Sequence, residues 1–296
     1  MARRKLSGLR LLVTGASQGI GRALAVIAAR KGCQVLAAAR SQPLLDELAA
    51  EVRTAGGTIQ TVVADVTRPE DRQAMVDAAV RHFGGLDVLI NNAGIGATGH
   101  FMDSEPQVLR TIFETNFFGL TETTRVFLPL LKVGTTPAIV NISSVVGKRA
   151  LPARALYSSS KFAVAGFSEA IRAELAKDGI QVIVVSPGLT QTNFSKNMLE
   201  QKARMPMDHL RGMTSEEVAE ATLRAVAKGK NDVTLTLKGK LLVLVSRFFP
   251  WVVDFFARKK VRELFADEIA ERKKKQAEHA VAAPPEGSSR GDYVGR

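Results

Sequence analysis

Short apolar runs alternate with amphipathic segments from residue 9 to residue 188 of the 296-residue chain. The runs are rich in aliphatic and β-branched residues and too short for helices, so we expect buried strands. Six of them are LRLLVTG, CQVLAAAR, IQTVVADV, LDVLINNAG, PAIVNISS and GIQVIVVSPG. The segments between them, such as GRALAVIAARKG, repeat apolar residues every three or four positions and end in glycine, as helices do.

This alternation of strands and helices is typical of βαβ units, whose strands lie parallel in one sheet. A seventh run, NDVTLTL, follows one more helical pattern, SEEVAEATLRAVAKG. The sequence therefore predicts an α/β fold: a doubly wound, Rossmann-type parallel sheet of about seven strands with helices on both faces.

The pattern changes in the second half of the chain. Residues 189–214 are irregular and Met-rich, and in this topology they follow the carboxyl ends of the strands, where ligands bind. They form either a substrate lid or a plain surface loop. We expect a Rossmann-type domain over 1–237, an apolar and basic helical extension over 238–276, and a disordered tail rich in Pro, Gly and Ser over 277–296.

A glycine-rich loop, VTGASQGIGRALA, joins the first strand to the first helix. Its three glycines would let the backbone turn tightly and approach a pyrophosphate, whose charge the helix N-terminus stabilises. Because strand, loop, helix and second strand come in the required order, we expect a dinucleotide site rather than a simple turn. The predicted contacts of this loop are Gly15, Ser17, Gln18, Gly19, Ile20 and Gly21.

The segment YSSSK carries Tyr157 and Lys161 four residues apart. On a helix the two side chains share one face, so the ammonium would favour the phenolate and bring proton exchange within reach of working pH. The same spacing also occurs on many helices as two exposed side chains, so the pair needs support from other motifs.

Six motifs in chain order resemble the short-chain dehydrogenase/reductase family. They are the T-G-x3-G-x-G loop, NNAG, the asparagine of FETNFFGL, NISS, YSSSK and SPGLTQT. The resemblance extends over residues 8–235 and implies a nicotinamide cofactor with hydride transfer to a carbonyl or from an alcohol. It also implies a homo-oligomer, since related enzymes often pair helices into dimers or tetramers.

The resemblance assigns catalytic roles to four residues. Tyr157 is the expected general acid/base, and Lys161 lowers its pKa and holds the nicotinamide ribose. Ser144 would hydrogen-bond the substrate oxygen, and Asn116 would support a water-linked proton path to the lysine. The alternatives to these catalytic roles are structural. Ser144 would then be a hydroxyl in a turn, and Asn116 would be a hydrogen-bonded amide in the core or the site of a helix kink.

The end of the second strand bears on the choice of cofactor. It reads Ala39, Arg40, Ser41, with no carboxylate for a ribose 2′-hydroxyl, whereas Arg40 can bind a 2′-phosphate. We therefore expect NADP (NADPH), a solvated surface arginine being the alternative. The resemblance adds Asp65 and Val66 near the adenine, Asn92, Ala93 and Gly94 along the cofactor, and Pro187, Gly188, Thr190 and Thr192 at the nicotinamide amide.

The apolar stretch at residues 241–265 is interrupted by Arg247, Pro250 and Asp254, so its runs are too short to span a bilayer. A helix from Pro250 would place an apolar stripe opposite a basic face, next to Trp251. Such a helix suits peripheral contact with an anionic membrane. Covering the domain core or forming a dimer contact would suit it equally.

The formal net charge of +12 lies mainly at the two ends, with +4 in residues 1–10 and +5 in residues 238–279. The body is nearly neutral and shows no aromatic-basic groove, so we expect no nucleic-acid partner. One cysteine and four scattered histidines predict neither an internal disulfide nor a metal site. Without a visible export signal, we expect a cytoplasmic protein, or one held peripherally at the cytosolic membrane face.

The predicted function is an NADP-dependent oxidoreductase acting on CH–OH or C=O groups, most simply an NADPH-dependent carbonyl reductase. The apolar lid and tail favour an apolar, lipid-like ketone, aldehyde or alcohol. Two other classes stay open. The complete catalytic set disfavours a cofactor-binding sensor or scaffold without turnover, and the glycine spacing disfavours a sugar-nucleotide epimerase or dehydratase.

Overall fold

The computed structural model describes residues 3–192, 194, 197–202, 212–266, 270–271 and 274. The chain separates into two compact units, residues 1–248 and 249–296. The predicted tail at 277–296 lies outside the described residues, as does the middle of the segment 189–214.

Strands and helices of the first unit alternate as predicted from the apolar pattern. The strands are β1 (Arg10–Thr14), β2 (Gln34–Ala39), β3 (Thr58–Val63), β4 (Val88–Asn91), β5 (Ala138–Ile142), β6 (Gln181–Ser186), β7 (Thr190–Gln191), β8 (Met213–Thr214) and β9 (Asp232–Thr234). The helices are α1 (Gly19–Arg30), α2 (Gln42–Thr54), α3 (Pro69–Phe83), α4 (Pro106–Phe113), α5 (Gly119–Lys132), α6 (Ala155–Glu174), α7 (Ser215–Lys228) and α8 (Leu237–Phe248).

Within the described residues, seven strands form one parallel sheet in the order β3-β2-β1-β4-β5-β6-β9. Helices cover both faces, so successive strand residues enter different cores. Leu11 and Val13 pack with α1, α2 and α7, whereas Leu12 packs with α3 and α5. Burial on both faces explains why the strands read as continuous apolar runs. The predicted doubly wound α/β fold is confirmed.

The strand order places the chain's change of direction between β1 and β4. The chain moves outward from β1 through β2 to β3, and then in the other direction from β4 through β5 to β6. Such a switch point leaves a crevice at the carboxyl ends of the strands, and ligands bind there in open α/β sheets.

The segment predicted to be irregular contains a small element of its own. β7 and β8 form a two-stranded parallel pair, with Thr190 opposite Met213. Two-residue strands are too short to produce a hydrophobic period, so no pattern in the sequence predicts them. The pair holds Thr190 four residues after the end of β6, beside the crevice.

The second unit contains the helix α9 (Pro250–Leu264). Trp251, Phe255 and Phe256 are exposed on it. None of the helices in the described ranges is long and apolar enough to cross a membrane.

Candidate active site

A cleft of about 2040 Å³ opens at the carboxyl ends of the strands and holds nearly all of the residues singled out from the sequence. Those that line it are Gly15, Ser17, Gln18, Gly19, Ile20, Arg40, Ser41, Asp65, Val66, Asn92, Ala93, Gly94, Ser144, Tyr157, Lys161, Pro187, Gly188, Thr190 and Thr192. Gly21 and Asn116 do not line the cleft themselves. Gly21 packs against Gly15, and Asn116 lies beside Gly94.

The glycine loop is shaped by two close approaches of backbone to backbone. Gly15 has φ +65°, and a Cβ there would lie 2.8 Å from the Cα of Ala93. A Cβ on Gly21 would lie 2.2 Å from the carbonyl oxygen of Gly15. Since a side chain at either position would displace the backbone, glycine is required to bring α1 against the loop.

The first turn of α1 can bind an anion. Gln18 provides no side-chain cap, and the first turn contains no acidic residue. Its free amide groups and the positive end of the helix dipole suit a phosphate. The loop and the helix therefore fit the pyrophosphate of a dinucleotide.

Asn92 links the loops that follow β1 and β4. Its Nδ2 donates to the carbonyl oxygens of Thr14, at 3.0 Å, and Gly15, at 3.2 Å. The amides of Asn92 and Ala93 donate to the Thr14 hydroxyl at 3.0 and 3.1 Å. These bonds hold the floor of the cleft at the switch point.

Arg40 and Asp65 lie together at the far end of the cleft. The Arg40 Nη1 is 3.8 Å from Asp65 Oδ2, and the arginine side chain is 73% exposed. Asp65 Oδ1 also accepts hydrogen bonds from the amide and the hydroxyl of Thr67, at 2.9 and 2.8 Å. An exposed pair at this distance is weak, so the guanidinium can turn to another anion.

The segment after β6 forms the opposite wall. The carbonyl of Pro187 accepts a hydrogen bond from the amide of Val145 at 2.9 Å, which ties this wall to the loop carrying Ser144. Thr190 Oγ1 donates to the carbonyl of Gly188 at 3.2 Å. The predicted nicotinamide contacts therefore stand next to the loop that carries Ser144.

Tyr157 and Lys161 lie on α6 with their side chains on one face, as the four-residue spacing predicts. The Lys161 Nζ is 5.8 Å from the centre of the Tyr157 ring and donates to the carbonyl of Ile142 at 2.9 Å. Ser144 is hydrogen-bonded to Tyr157. The hydroxyl of the neighbouring Ser143 turns away, to the main-chain oxygen of Lys161.

Asn116 is fully buried in a π-helical turn, residues 114–118, between α4 and α5. Its Oδ1 accepts from the amide of Ile95 at 2.8 Å, and its Nδ2 donates to Ile95 O and Ser160 Oγ at 2.9 and 3.0 Å. A Cβ on Gly94 would lie 3.2 Å from Asn116 Oδ1 and 3.6 Å from Lys161 Nζ. The asparagine and the lysine thus flank the same glycine.

Burial governs the proton affinities of the pair. It raises the pKa of Tyr157 to about 12, while the Arg154 charge and the hydrogen bond to Ser144 act in the opposite direction. Burial lowers the pKa of Lys161 to about 8. This differs from the expectation that Lys161 lowers the tyrosine pKa, because desolvation of the phenolate outweighs its neighbours.

Sequence reasoning missed several residues that line the cleft. Leu151, Arg154, Phe194 and Met198 are among them, and the rings of Phe194 and Tyr157 are 5.6 Å apart. Arg154 stands three residues before Tyr157, a helical spacing that could have identified it.

The start of α8 also lines the cleft, with residues such as Leu237 and Leu242. It can do so because the buried Gly239 allows a close approach, since a Cβ there would lie 2.9 Å from a methyl group of Val145. Only the folded chain shows this contact between distant segments.

Comparison with known proteins agrees with this architecture. Residues 10–203 match the family described as short chain dehydrogenase. The chain is 34% identical over 256 residues to an uncharacterized oxidoreductase, YxnA, of Bacillus subtilis, covering 85% of this chain and 72% of that protein. It is 33% identical over 258 residues to the ketoacyl reductase HetN of a Nostoc species, covering 84% and 88%.

A solved structure shares the fold over most of its length. The 3-ketoacyl-(acyl-carrier-protein) reductase of Brucella melitensis, complexed with NADH, superposes with a TM-score of 0.70 at 28% identity, covering 77% of this chain and 98% of the other. The chain belongs to the short-chain dehydrogenase/reductase family and is an oxidoreductase that uses a nicotinamide dinucleotide. Among the described residues, no group of three or more His, Cys, Asp or Glu could hold a metal ion.

Proposed function

We propose that the protein is an NADPH-dependent reductase of apolar ketones or aldehydes, able to run in reverse as an alcohol dehydrogenase. The observation that carries the proposal is the juxtaposition of Ser144, Tyr157 and Lys161 beside the glycine loop in one cleft. Similarity to a protein named as a ketoacyl reductase supports ketone reduction.

The proton chemistry of the cleft suits reduction. The nicotinamide, when bound, supplies the hydride. With a pKa of about 12, Tyr157 keeps its proton at working pH and can donate it to the carbonyl oxygen as negative charge develops there. Ser144 can hydrogen-bond the same oxygen. Lys161, with a pKa of about 8, titrates near working pH and can return a proton to the tyrosine.

The preference for NADPH rests on Arg40. It stands at the end of β2 on the cleft and makes only a long, exposed ion pair with Asp65. A 2′-phosphate would offer the guanidinium a bidentate partner, which is stronger. The apolar substrate is supported by Leu151, Phe194 and Met198, which line the cleft, with the ring of Phe194 beside that of Tyr157.

The test is to titrate the purified full chain with NADPH and NADH, and then to follow NADPH oxidation with aldehydes and ketones of increasing chain length. Turnover that requires Tyr157 would support the reductase, with Ser159→Ala, an exposed position on the same helix, as the control. Tight cofactor binding without turnover on any substrate, together with cellular effects that survive Tyr157→Phe, would instead indicate a sensor or scaffold.

We also propose peripheral contact of the 241–265 region with an anionic membrane, for a protein at the cytosolic face. On α8 an apolar stripe is at least 55% exposed and recurs every three or four residues, at Leu237, Leu241, Leu244 and Phe248. The helix carries three basic residues and no acidic one. An exposed apolar stripe flanked by positive charge suits acidic headgroups.

Vesicle flotation tests this contact. The double variant Leu241→Gln/Leu244→Gln should lose flotation with phosphatidylglycerol vesicles, whereas Val133→Gln, another exposed apolar residue, should not. Substitution is sharper than truncation after Leu237, because truncation would remove part of the cleft wall. Equal, negligible flotation of all chains would exclude membrane contact, and a change of mass in sedimentation with the double variant would assign the stripe to the expected homo-oligomer.

A further inference from the structure

We propose that Arg154 binds an acidic group of the substrate, a carboxylate or a phosphate, next to the carbonyl that Tyr157 protonates. The inference rests on the proposed function, since it takes the cleft to be the site of reduction. It narrows the substrate from an apolar carbonyl compound to an amphiphilic one that carries a negative charge.

The position of Arg154 brings its guanidinium to the reacting end of the cleft. It is the residue before the first turn of α6, three positions ahead of Tyr157, and it lines the cleft with Leu151 and Phe194. Its charge lies close enough to Tyr157 to affect the pKa of the phenol. The guanidinium therefore stands within reach of a group near the substrate carbonyl.

The Arg154 side chain is half-buried, and it has no counter-ion among the described residues. Its Nε is buried and has no hydrogen-bond partner, and burial lowers the pKa of the side chain. None of the ion pairs found among the described residues involves Arg154. An unpaired cation is unfavourable in a partly dry site, so an arginine of this kind is typical of a site completed by an anionic ligand.

The other acidic groups that line the cleft in the described residues stand elsewhere. Asp65 lies beside Arg40, Glu217 caps the amide of Thr214 at the start of α7, and Glu220 pairs with Lys31. Glu216 is exposed in the first turn of α7. The phosphates of a bound dinucleotide would have their own partners in the first turn of α1 and in Arg40, which can leave its weak pair with Asp65. With no anion beside Arg154 in the described part of the chain, the substrate is the source that we propose.

Apolar residues that line the same cleft as Arg154 define the shape of such a substrate. Phe194, Met198 and Leu151 would cover a hydrocarbon chain, and Arg154 would hold its acidic group in a forked, bidentate pair. A long-chain oxo acid or an oxoalkyl phosphate meets both requirements. Fixing the acid would also orient the carbonyl toward the hydroxyls of Tyr157 and Ser144.

The experiment compares Arg154→Gln and Arg154→Lys with the wild-type full chain, with the exposed Arg110→Gln as a matched control. Substrates are oxoalkanoates with increasing separation of ketone and carboxylate, their methyl esters, and oxoalkyl phosphates. We expect the wild type to prefer one of the acids or phosphates over the neutral ester. In Arg154→Gln the KM for that substrate should rise at least about tenfold, with kcat and the ester's KM nearly unchanged. Arg154→Lys should retain part of the preference, because it keeps the charge.

A second readout separates this inference from the proposed reductase. Binding of an unreactive alkanoate to the enzyme with NADPH is measured by calorimetry, and it should weaken at least about tenfold in Arg154→Gln. Arginine-dependent alkanoate binding without turnover of any ketone would keep the acid site and reject the reductase. Turnover of neutral ketones with no preference for acids would keep the reductase and reject the acid site.

Two results would overturn the role of Arg154 in substrate binding. One is an equal rise in KM for the acid and for its ester in Arg154→Gln. The other is a fall in kcat at constant KM, with a shifted pH profile, which would show that the arginine acts on Tyr157 rather than on the substrate. If Arg154→Gln does not fold, Arg154→Lys tests the bidentate pair alone: the KM of the acid should rise and that of its ester should not.

Discussion

The edge of the central sheet formed by the amino ends of its strands gives a buried charge many hydrogen-bond partners. The edge formed by the carboxyl ends gives buried charged groups few. At the amino ends of the strands, Asp87 is 2% exposed and fully engaged with Arg10, whose amide, Nε and Nη2 donate to it at 2.9, 3.0 and 2.7 Å. The amide of Thr135 adds a fourth bond at 2.7 Å. At the carboxyl ends, Lys161 is 4% exposed with one carbonyl partner, and the Nε of Arg154 has none.

The pKa values follow this difference. Burial alone would raise the pKa of Asp87, but the hydrogen bonds from Arg10 and Thr135 outweigh it and keep the pKa below its ordinary value. At the other edge burial is the cause of the shift at Lys161, and it lowers the pKa of the lysine to about 8. One edge therefore holds a charge fixed near neutral pH and stabilises the fold, while the other holds groups able to titrate and react.

The largest effect should come from removing the proton donor of the carboxyl edge. We expect Tyr157→Phe to lower turnover by about 10²- to 10⁴-fold, the usual contribution of a positioned general acid. NADPH affinity and thermal stability should change little, because the lost hydroxyl has only Ser144 as an assigned partner. Steady-state kinetics beside fluorescence titration would check this, and turnover within tenfold of wild type would contradict the assignment.

The amino edge should show the opposite behaviour. Asp87→Asn leaves the Arg10 charge without its partner, so we expect a loss of about 3 kcal/mol in the free energy of unfolding. NADPH affinity should be retained. Because the folded pKa of Asp87 is lowered, its contribution is present above the ordinary carboxyl pKa and should vanish as pH falls through the folded value.

Urea denaturation at several pH values measures this loss. Glu122→Gln is the control, since the Glu122–Arg125 pair is exposed and should contribute less than about 1 kcal/mol. Equal losses in the two variants would show that burial of the Asp87 pair does not matter.

The sequence was a good guide to the carboxyl edge where motifs follow strand ends. Parallel strands bring their carboxyl ends together, so Gly15, Asn92 and Ser144 could be placed in one cleft from chain order. Tyr157, on α6, joined them through the resemblance of its motif. Arg154 has no motif of its own, and its importance appears only from burial without a partner. The approach of α8 depends on packing at Gly239, which no local pattern encodes.

The direction of the tyrosine pKa shift was also beyond the sequence. The spacing of Tyr157 and Lys161 predicts their proximity, and the structure shows it. Whether the phenol becomes more or less acidic depends on how far the surrounding chain desolvates it, and here desolvation is the largest effect.

A smaller effect is expected at the exposed end of the cleft. Arg40→Gln should weaken NADPH binding by about tenfold or more, the value of one charge-assisted hydrogen bond, and leave NADH binding nearly unchanged. Fluorescence titration with both cofactors measures the ratio, and Arg53→Gln on α2 serves as a control. An unchanged ratio would mean that Arg40 is a solvated surface charge and that the NADP preference lies elsewhere.

The last effect is the pH dependence that Lys161 adds to stability. Its pKa is about 8 in the fold, against an ordinary value of 10.5 for a solvated lysine, so between these values the unfolded chain binds more protons. The free energy of unfolding should therefore rise with pH across this window, by at most about 1.4 kcal/mol per pH unit. Below pH 8 both states are protonated, and the full cost of burying the ammonium remains.

The variant Lys161→Met should lose this rise, whereas the exposed Lys177→Met should keep it. Urea denaturation from pH 7 to pH 10 measures the difference, and it stops at pH 10 because Tyr157 destabilises the fold above that point. There the raised pKa of the phenol leaves the folded state with the extra proton. A difference between wild type and Lys161→Met that stays flat from pH 7 to pH 10 would mean that Lys161 is not titrating in the cleft, and the contrast between the two edges would lose its chemical basis.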